Sequence, residues 1–358
     1  MPAPTFPAEW QALVDQAATA LRALALDEAA KEKFCNDPLL RPYMHKVSQR
    51  YVAGQTVAEA LARAEHSIAQ GHAASVEYMG ESVRDEAFAM AETDVFMELT
   101  RAVGQRNLNC SISLDLSHVG SMVDLELGYR NLRRVALTAA EINREVMISM
   151  EGYDRADDIY AIYTRLHRDD GLHNVGITVP AKRHRTARDL PELMKLPGRI
   201  RLVKGAFLES EDISYHRNSA ELAAAYRRYA HELLLSGHKC SIATHDRAIQ
   251  ADLSALILKE RIDPRWYEFE SLIGLGTEQI AGLKARGFPT REYVVFGEEH
   301  FLYVLNRIAE EPVRVYQALV DALGDKPGDA LGDTSLDALG DAPRDMQPDA
   351  QHTPAPAA

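Results

Sequence analysis

Along residues 9–36 apolar side chains recur at three- and four-residue steps, with Trp10, Leu13, Val14, Ala17, Leu21 and Leu24 on one stripe. That period predicts one or two amphipathic helices. Pro38 and Pro42 interrupt it, and it resumes over 47–70, with Thr56 placed as an N-cap and Gly71 as a stop. From there the rhythm changes. Short β-like runs fall at 75–79, 109–116, 146–150, 174–179, 199–207, 240–244, 267–273 and 291–296. Helical patterns over 85–103, 124–143, 157–167, 219–236, 246–260 and 277–285 separate most of them, while the link from 179 to 199 has room for only a short helix.

Strands alternating with helices eight times over roughly 240 residues predict an α/β fold, a (β/α)8 TIM barrel. A doubly wound open sheet is the alternative. Such a sheet usually carries a Gly-rich phosphate turn after its first strand, and Met79-Gly80-Glu81-Ser82 is not one. The expected organisation is an N-terminal helical segment over 1–70, the barrel over 71–320 and a disordered, acidic C-terminal tail over 321–358. Past Pro312 one more helical stretch covers 314–323; DALGD then recurs at 321–325, 329–333 and 337–341. A segment so poor in large apolar residues cannot offset its ordering entropy by burial.

Composition narrows the function. A chain of 358 residues with a formal charge of −13 lacks the basic face that nucleic acid or an anionic membrane demands. Cys35, Cys110 and Cys240 form neither a close pair nor a metal-spaced cluster, so they read as free thiols in a reducing cytoplasm. With no apolar run near the ~18 residues that a membrane span needs, and no signal-peptide pattern at the start, a cytoplasmic protein is expected.

In a barrel of this kind chemistry collects at the carboxyl ends of the strands. There stand Glu81 and Ser82, then Asp115, Ser117 and His118, then Ser149 and Glu151, then the Lys182–Arg185 cluster, and beyond it Arg201, Lys204 and Phe207. Thr244, His245 and Asp246, the run 268–273, and Tyr293 with Phe296 complete the rim. Two cations within the apolar run RIRLVKGAFL at 199–208 are costly to bury without a partner, and Gly205 and Ala206 let a flat ligand approach the backbone. The rim suits a phosphate-bearing cofactor. It carries no metal signature, because His118, His184 and His245 lie on different strands, and no GxSxG nucleophile elbow.

Four segments in order then become specific: RLVKGAFLE at 201–209, ATHD at 243–246, FESLIG at 269–274 and YVVFGEEHFLYVLNRIAEEP at 293–312. They resemble the signature blocks of the proline dehydrogenase family, and the resemblance extends over roughly residues 45–315. It implies a distorted barrel that binds FAD, oxidises proline to pyrroline-5-carboxylate and passes electrons to a quinone or another acceptor. It also implies that Arg201 and Lys204 contact the flavin and its pyrophosphate-ribityl arm, and that Thr244 and His245 hold it from strand six. Gly205 and Ala206 would admit it, and Arg307 and Glu310 would complete the wall. Cations beside a flavin stabilise the negative charge of its reduced form.

The substrate side departs from the family pattern. Of the paired arginines in Y-x-x-R-R-x-x-E, which begins here at Tyr303, the first is Asn306 and only Arg307 is kept. The family's strand-two lysine falls at Asp115, its strand-three aspartate at Ser149, its tyrosine after K-G-A at Phe207, and a strand-four glutamine near Pro180. Tyr293 and Leu272 match residues that pack on the proline ring. The expected substrate is therefore a small amine other than free proline, with Tyr293, Asp115 and Arg307 as catalytic candidates and Leu272, Phe207, Ser149, Tyr303 and Asn306 lining its pocket. Asp115 would meet a cationic amine or act as its base; the bland alternative pairs Asp115 with Arg183 or Arg185. An ordinary L-proline dehydrogenase and a non-catalytic flavin-binding or scaffold barrel are the competing readings.

Overall fold

A computed structural model describes residues 8–80, 82–207, 209–217, 219–310 and 313–324. Glu81 and the DALGD repeats beyond residue 324 lie outside the described residues. Four helices come first: α1 (Ala8–Ala25), α2 (Glu28–Asn36), α3 (Arg41–Ser48) and α4 (Val57–Ala69). The last begins at a capping box. Thr56 Oγ1 accepts from the Glu59 N–H at 3.3 Å while Glu59 Oε2 accepts from the Thr56 N–H at 3.0 Å. It ends as expected, with Gly71 just beyond at φ +85°, where a left-handed turn favours glycine.

Eight parallel strands follow. They are β1 (Ala73–Tyr78), β2 (Cys110–Leu114), β3 (Val146–Ile148), β4 (Val175–Pro180), β5 (Ile200–Val203), β6 (Cys240–Ala243), β7 (Tyr267–Leu272) and β8 (Thr290–Phe296). Between them lie α5 (Glu86–Gln105), α6 (Leu125–Glu141), α7 (Ala156–Arg168), α8 (Thr186–Leu193), α9 (Ala220–Ser236), α10 (Arg247–Glu260) and α11 (Thr277–Ala285); α12 (His300–Ala309) and α13 (Val313–Leu323) close the chain. Every strand pairs with its sequence neighbours, and β1 pairs with β8 (Ser75 opposite Tyr293) to close the barrel.

Each strand expected from the sequence is present. The run 199–207 yields only four strand residues. Pairing with β4 and β6 ends at Val203, and Gly205 turns the chain at φ +111°, a conformation open to glycine and strained for other residues. A Cβ there would lie 2.6 Å from the stem of Lys182.

The apolar core lies between strands and helices, where Val76, Ile112, Leu114, Ile148 and Ile177 meet Phe96, Leu132 and Ile159, all fully buried. A second cluster joins Met44, Tyr51, Phe301, Val304 and Ile308, so the N-terminal helices pack on α12 and α13. Arg50 locks this seam with a two-pronged, buried ion pair to Asp321, at 2.6 and 2.7 Å.

Candidate active site

Side chains alternate along a strand, and the odd-numbered residues of β1, β2, β5 and β8 face the bore while the even-numbered ones face the helices. Hydrogen bonds between non-adjacent strands establish this. Arg201 on β5 donates to Ser113 on β2 and Ser75 on β1, both at 3.0 Å, and pairs with Glu270 on β7 at 2.9 Å. Its guanidinium also lies 4.8 Å from the Tyr293 ring centre. One layer nearer the carboxyl end, Tyr293 O–H donates to Glu77 on β1, and Ser149, just past β3, donates to the same Glu77 oxygen at 2.8 Å. Burial, and then the Glu77 carboxylate, raise the Tyr293 phenol well above its ordinary pKa, so it remains a hydrogen donor. For Arg201 burial alone would favour the neutral form, but Glu270 outweighs it and keeps the charge.

This bore brings together three residues singled out from the sequence, Arg201, Tyr293 and Ser149, with Glu270 of the rim run 268–273 and one residue that was missed, Glu77. Glu77 carried a readable signal, a lone carboxylate in the strand AASVEY. Asp115 follows β2 at the next position of the same alternation, half-buried.

Lys204 leaves the barrel just past β5 and donates to Asp246 at 2.7 Å. Asp246 is also the N-cap of α10, accepting from Ala248 and Ile249 N–H, and its own N–H is held by Thr244 Oγ1 at 3.2 Å. His245 sits beside them, with Nε2 3.0 Å from Ser271 Oγ and 3.3 Å from the Leu272 N–H. Burial, and then Arg314, push the His245 pKa down to about 4, so the ring is neutral at physiological pH. Gly205 and exposed Ala206 lie on the loop after β5.

Three guanidiniums converge on Glu310, which caps α12: Arg307 of α12 at 2.7 Å, Arg314 of α13 at 3.1 Å, and Arg217 of the loop before α9 at 2.9 Å. Burial alone would raise the Glu310 pKa; Arg307, Arg217 and Arg314 together hold it at about 2. Arg307 also lies 5.3 Å from the Tyr303 ring centre. Tyr303, Leu272 and Tyr293 belong to one partly buried apolar group beside α12. Half-buried Asn306 precedes Arg307 on that helix.

Two expectations need revision. The Lys182–Arg185 cluster does not offer free cations to a phosphate: Arg183 pairs with Glu209 at 2.7 Å, Lys182 donates to the Phe207 carbonyl at 2.6 Å, and Arg185 binds Asp157 at 2.5 Å and Asp189. Phe207 does not pack into an apolar pocket, since its side chain is 43% exposed at the mouth. His118 is structural, fully buried, bonded to Glu92 at 2.5 Å and stacked near Tyr78 and Phe96. No group of His, Cys, Asp or Glu among the described residues could hold a metal ion.

The residues fit a phosphate-bearing flavin. Arg307 Nε and the Tyr303 hydroxyl are both buried and lack a partner among the described residues, at the place where Arg217, Arg307 and Arg314 meet a single carboxylate. Buried donors of this kind are rarely left unmet, and guanidiniums suit phosphate oxygens. Lys204, Thr244, His245, Arg307 and Glu310 would hold the group, with Arg201 and the Gly205 backbone beside its ring.

Comparison with known proteins gives the family. The family model described as proline dehydrogenase matches residues 60–313. Proline dehydrogenase 1 of Bacillus subtilis (strain 168) is 29% identical over 266 residues, covering 74% of this chain and 87% of the relative. Proline dehydrogenase of Deinococcus radiodurans is 29% identical over 279 residues, covering 77% and 90%. Among solved structures, proline utilization A (PutA) from Bdellovibrio bacteriovorus inactivated by N-propargylglycine superposes with a TM-score of 0.73 at 18% identity, over 89% of this chain. That match spans 39% of the longer protein and supports the fold alone.

Proposed function

The chain belongs to the proline dehydrogenase family, and on that premise we propose that it is a flavin-dependent oxidoreductase drawing two electrons from the C–N bond of proline or a proline-related amine. FAD is the proposed cofactor, a quinone or another small acceptor takes the electrons onward, and the proposed setting is the cytoplasm. No helix among the described residues is long and apolar enough to cross a membrane.

FAD, held by Lys204, Thr244, His245, Arg307 and Glu310, would supply a hydride acceptor for the carbon beside the amine nitrogen. The chain's own residues bind the amine, orient it and receive the proton that nitrogen gives up as the C=N bond forms. Tyr293 and Leu272 supply an apolar wall, and Ser149 and Tyr293 hold the Glu77 carboxylate in place. Glu77 and Asp115 then face the nitrogen, one as counter-ion and one as proton acceptor.

The observation that carries the substrate class is the Glu77–Tyr293–Ser149 group at the carboxyl end of the bore, with Asp115 and Asn306 where the family places cations. An acidic mouth favours an ammonium and repels a carboxylate. Losing one arginine–carboxylate pair removes about 1.5–3 kcal/mol, roughly ten- to a hundredfold in affinity for free proline. We therefore propose a cyclic secondary amine whose carboxylate is absent, masked or differently placed.

A second reading, ordinary L-proline oxidation, fits the family equally well. The partnerless Nε of Arg307 supports it, because one guanidinium could still meet a substrate carboxylate. Anaerobic mixing of the FAD-loaded enzyme with L-proline, pyrrolidine and N-alkylated or esterified prolines separates the two. Faster bleaching of the flavin by the carboxylate-free amines supports the proposal. Rapid bleaching by low millimolar L-proline alone selects the second reading, and a folded protein that takes up no FAD overturns both.

A further inference from the structure

One cavity among the described residues lies away from the carboxyl end. It opens at the opposite end of the barrel, where each strand begins, and its volume is about 530 Å³. Arg144 and Glu145 precede β3, Arg199 precedes β5, Lys239 precedes β6, and Arg291 is the second residue of β8; all five line this cavity. Nothing in the flavin chemistry uses them.

Their charges do not balance. Glu145 accepts from Arg199 at 2.8 Å and from Lys239. Glu268, on β7 behind the cavity wall, pairs with Arg291 at 2.8 Å and Arg199 at 3.2 Å. Arg144 has no carboxylate within ion-pair distance among the described residues; its donors go to the carbonyl of Leu108 at 2.6 Å, that of Asn143 at 3.0 Å and the Asn107 amide at 3.0 Å. Four cations therefore meet two carboxylates, an excess of two positive charges in one concave site of a chain whose formal charge is −13.

A concave wall of one sign focuses its field and concentrates small counter-ions. The acidity of the whole chain disfavours an extended polyanion such as nucleic acid, which would have to lie across the outer surface as well. A compact anion can enter alone. Guanidinium forks match phosphate and carboxylate oxygens, and the amides of Asn109 and Asn143, exposed at the rim, add hydrogen-bonding capacity without charge. A cavity of this size is within the range used for small-molecule ligands.

We propose that the floor of this barrel is a second ligand site, separate from the flavin site, that binds a small anion carrying two or more negative charges, of phosphate or polycarboxylate type. Lys239 and Arg144 receive it at the opening, and Arg199 and Arg291 face it from within. Burial and pairing fix those inner guanidiniums in the barrel wall, so the site is preorganised and needs no rearrangement to accept an anion.

The test uses FAD-saturated enzyme, so that added anions cannot report the diphosphate position of the cofactor. Inorganic pyrophosphate and citrate are titrated by calorimetry and by thermal melting, against potassium chloride of equal ionic strength. Saturable heat, with a melting temperature that rises by several degrees and then levels off, is expected for at least one of the two. Pyrophosphate alone identifies a phosphate site, and citrate alone a polycarboxylate site. Arg144→Gln and Lys239→Gln, which leave the buried Arg199–Glu268–Arg291 group intact, should each weaken binding at least fivefold without changing flavin content. Anions that do no more than matched chloride, or binding that survives both substitutions, overturn the proposal.

Discussion

The two ends of the barrel are built on the same eight strands and balance their charges differently. At the floor, Arg199, Arg291, Lys239 and Arg144 outnumber Glu145 and Glu268. At the carboxyl end of the bore, Arg201 faces Glu270, with Glu77 and Asp115 beyond. Parallel strands impose no such polarity. Alternation supplies inward positions, and which charge fills them differs by end: Arg199 and Arg291 near the floor, Glu77 and Glu270 around Arg201 nearer the mouth. The Arg307–Glu310 ion pair, the proposed flavin clamp, lies outside this axis, at the end of the helix that follows β8.

The largest effect should come from breaking the buried pairing at the floor. Glu268→Leu leaves Arg199 and Arg291 without their shared carboxylate and should cost about 3–5 kcal/mol in urea denaturation. A loss below ~1 kcal/mol would mean that the pairing contributes little. Acid titration checks the same group. The Glu268 pKa lies at about 2 in the fold, because Arg291 and Arg199 outweigh the upward push of burial, against an ordinary 4.5. The stability it contributes is complete above the unfolded value and is lost as pH falls from about 4.5 towards 2. Glu310, also held at about 2, acts with the same sign. His245 extends the window upward: lowered from 6.5 to about 4, it removes stability as pH falls between those values. A melting temperature that stays flat from pH 6.5 to 3 would contradict these assignments.

At the mouth the contrast is between rate and stability. Glu77→Gln keeps a hydrogen-bond acceptor for Tyr293 and Ser149 and should alter stability by less than ~1 kcal/mol, while slowing flavin reduction by about a hundredfold. Stopped-flow reduction with the best amine from the substrate panel measures it, and an unchanged rate would remove Glu77 from the chemistry. Next in size is the clamp. Arg307→Gln should weaken FAD binding by about ten- to a hundredfold, the value of one or two charge-assisted hydrogen bonds, as read from flavin retained on dialysis. Smallest is a site remote from both ends: Thr56→Ala removes one half of the α4 capping box and should cost about 1 kcal/mol, with flavin content unchanged.

Much of the fold was legible before any coordinates. The eight short apolar runs and the helical stretches between them recur in the structure, and Thr56 and Asp246 cap the helices they were expected to open. Arg307 and Glu310 were singled out only through resemblance, and nothing local in NRIAEEP announces that Arg217, 90 residues upstream of Arg307, reaches the same Glu310. Glu77 escaped notice for a related reason: it is the one carboxylate of β1, and its partner Tyr293, on the paired strand β8, is 216 residues away in sequence. Glu270, within the run 268–273, meets Arg201 across the bore, 69 residues away.

The amino-acid order alone determined which segments become strands and helices, because side-chain periodicity and capping act between residues a few positions apart. Only closure of the barrel decided which charges meet. Parallel pairing of β1 with β8 brings the first strand against the last, and ion pairs across the bore depend on that through-space geometry, which no local pattern encodes.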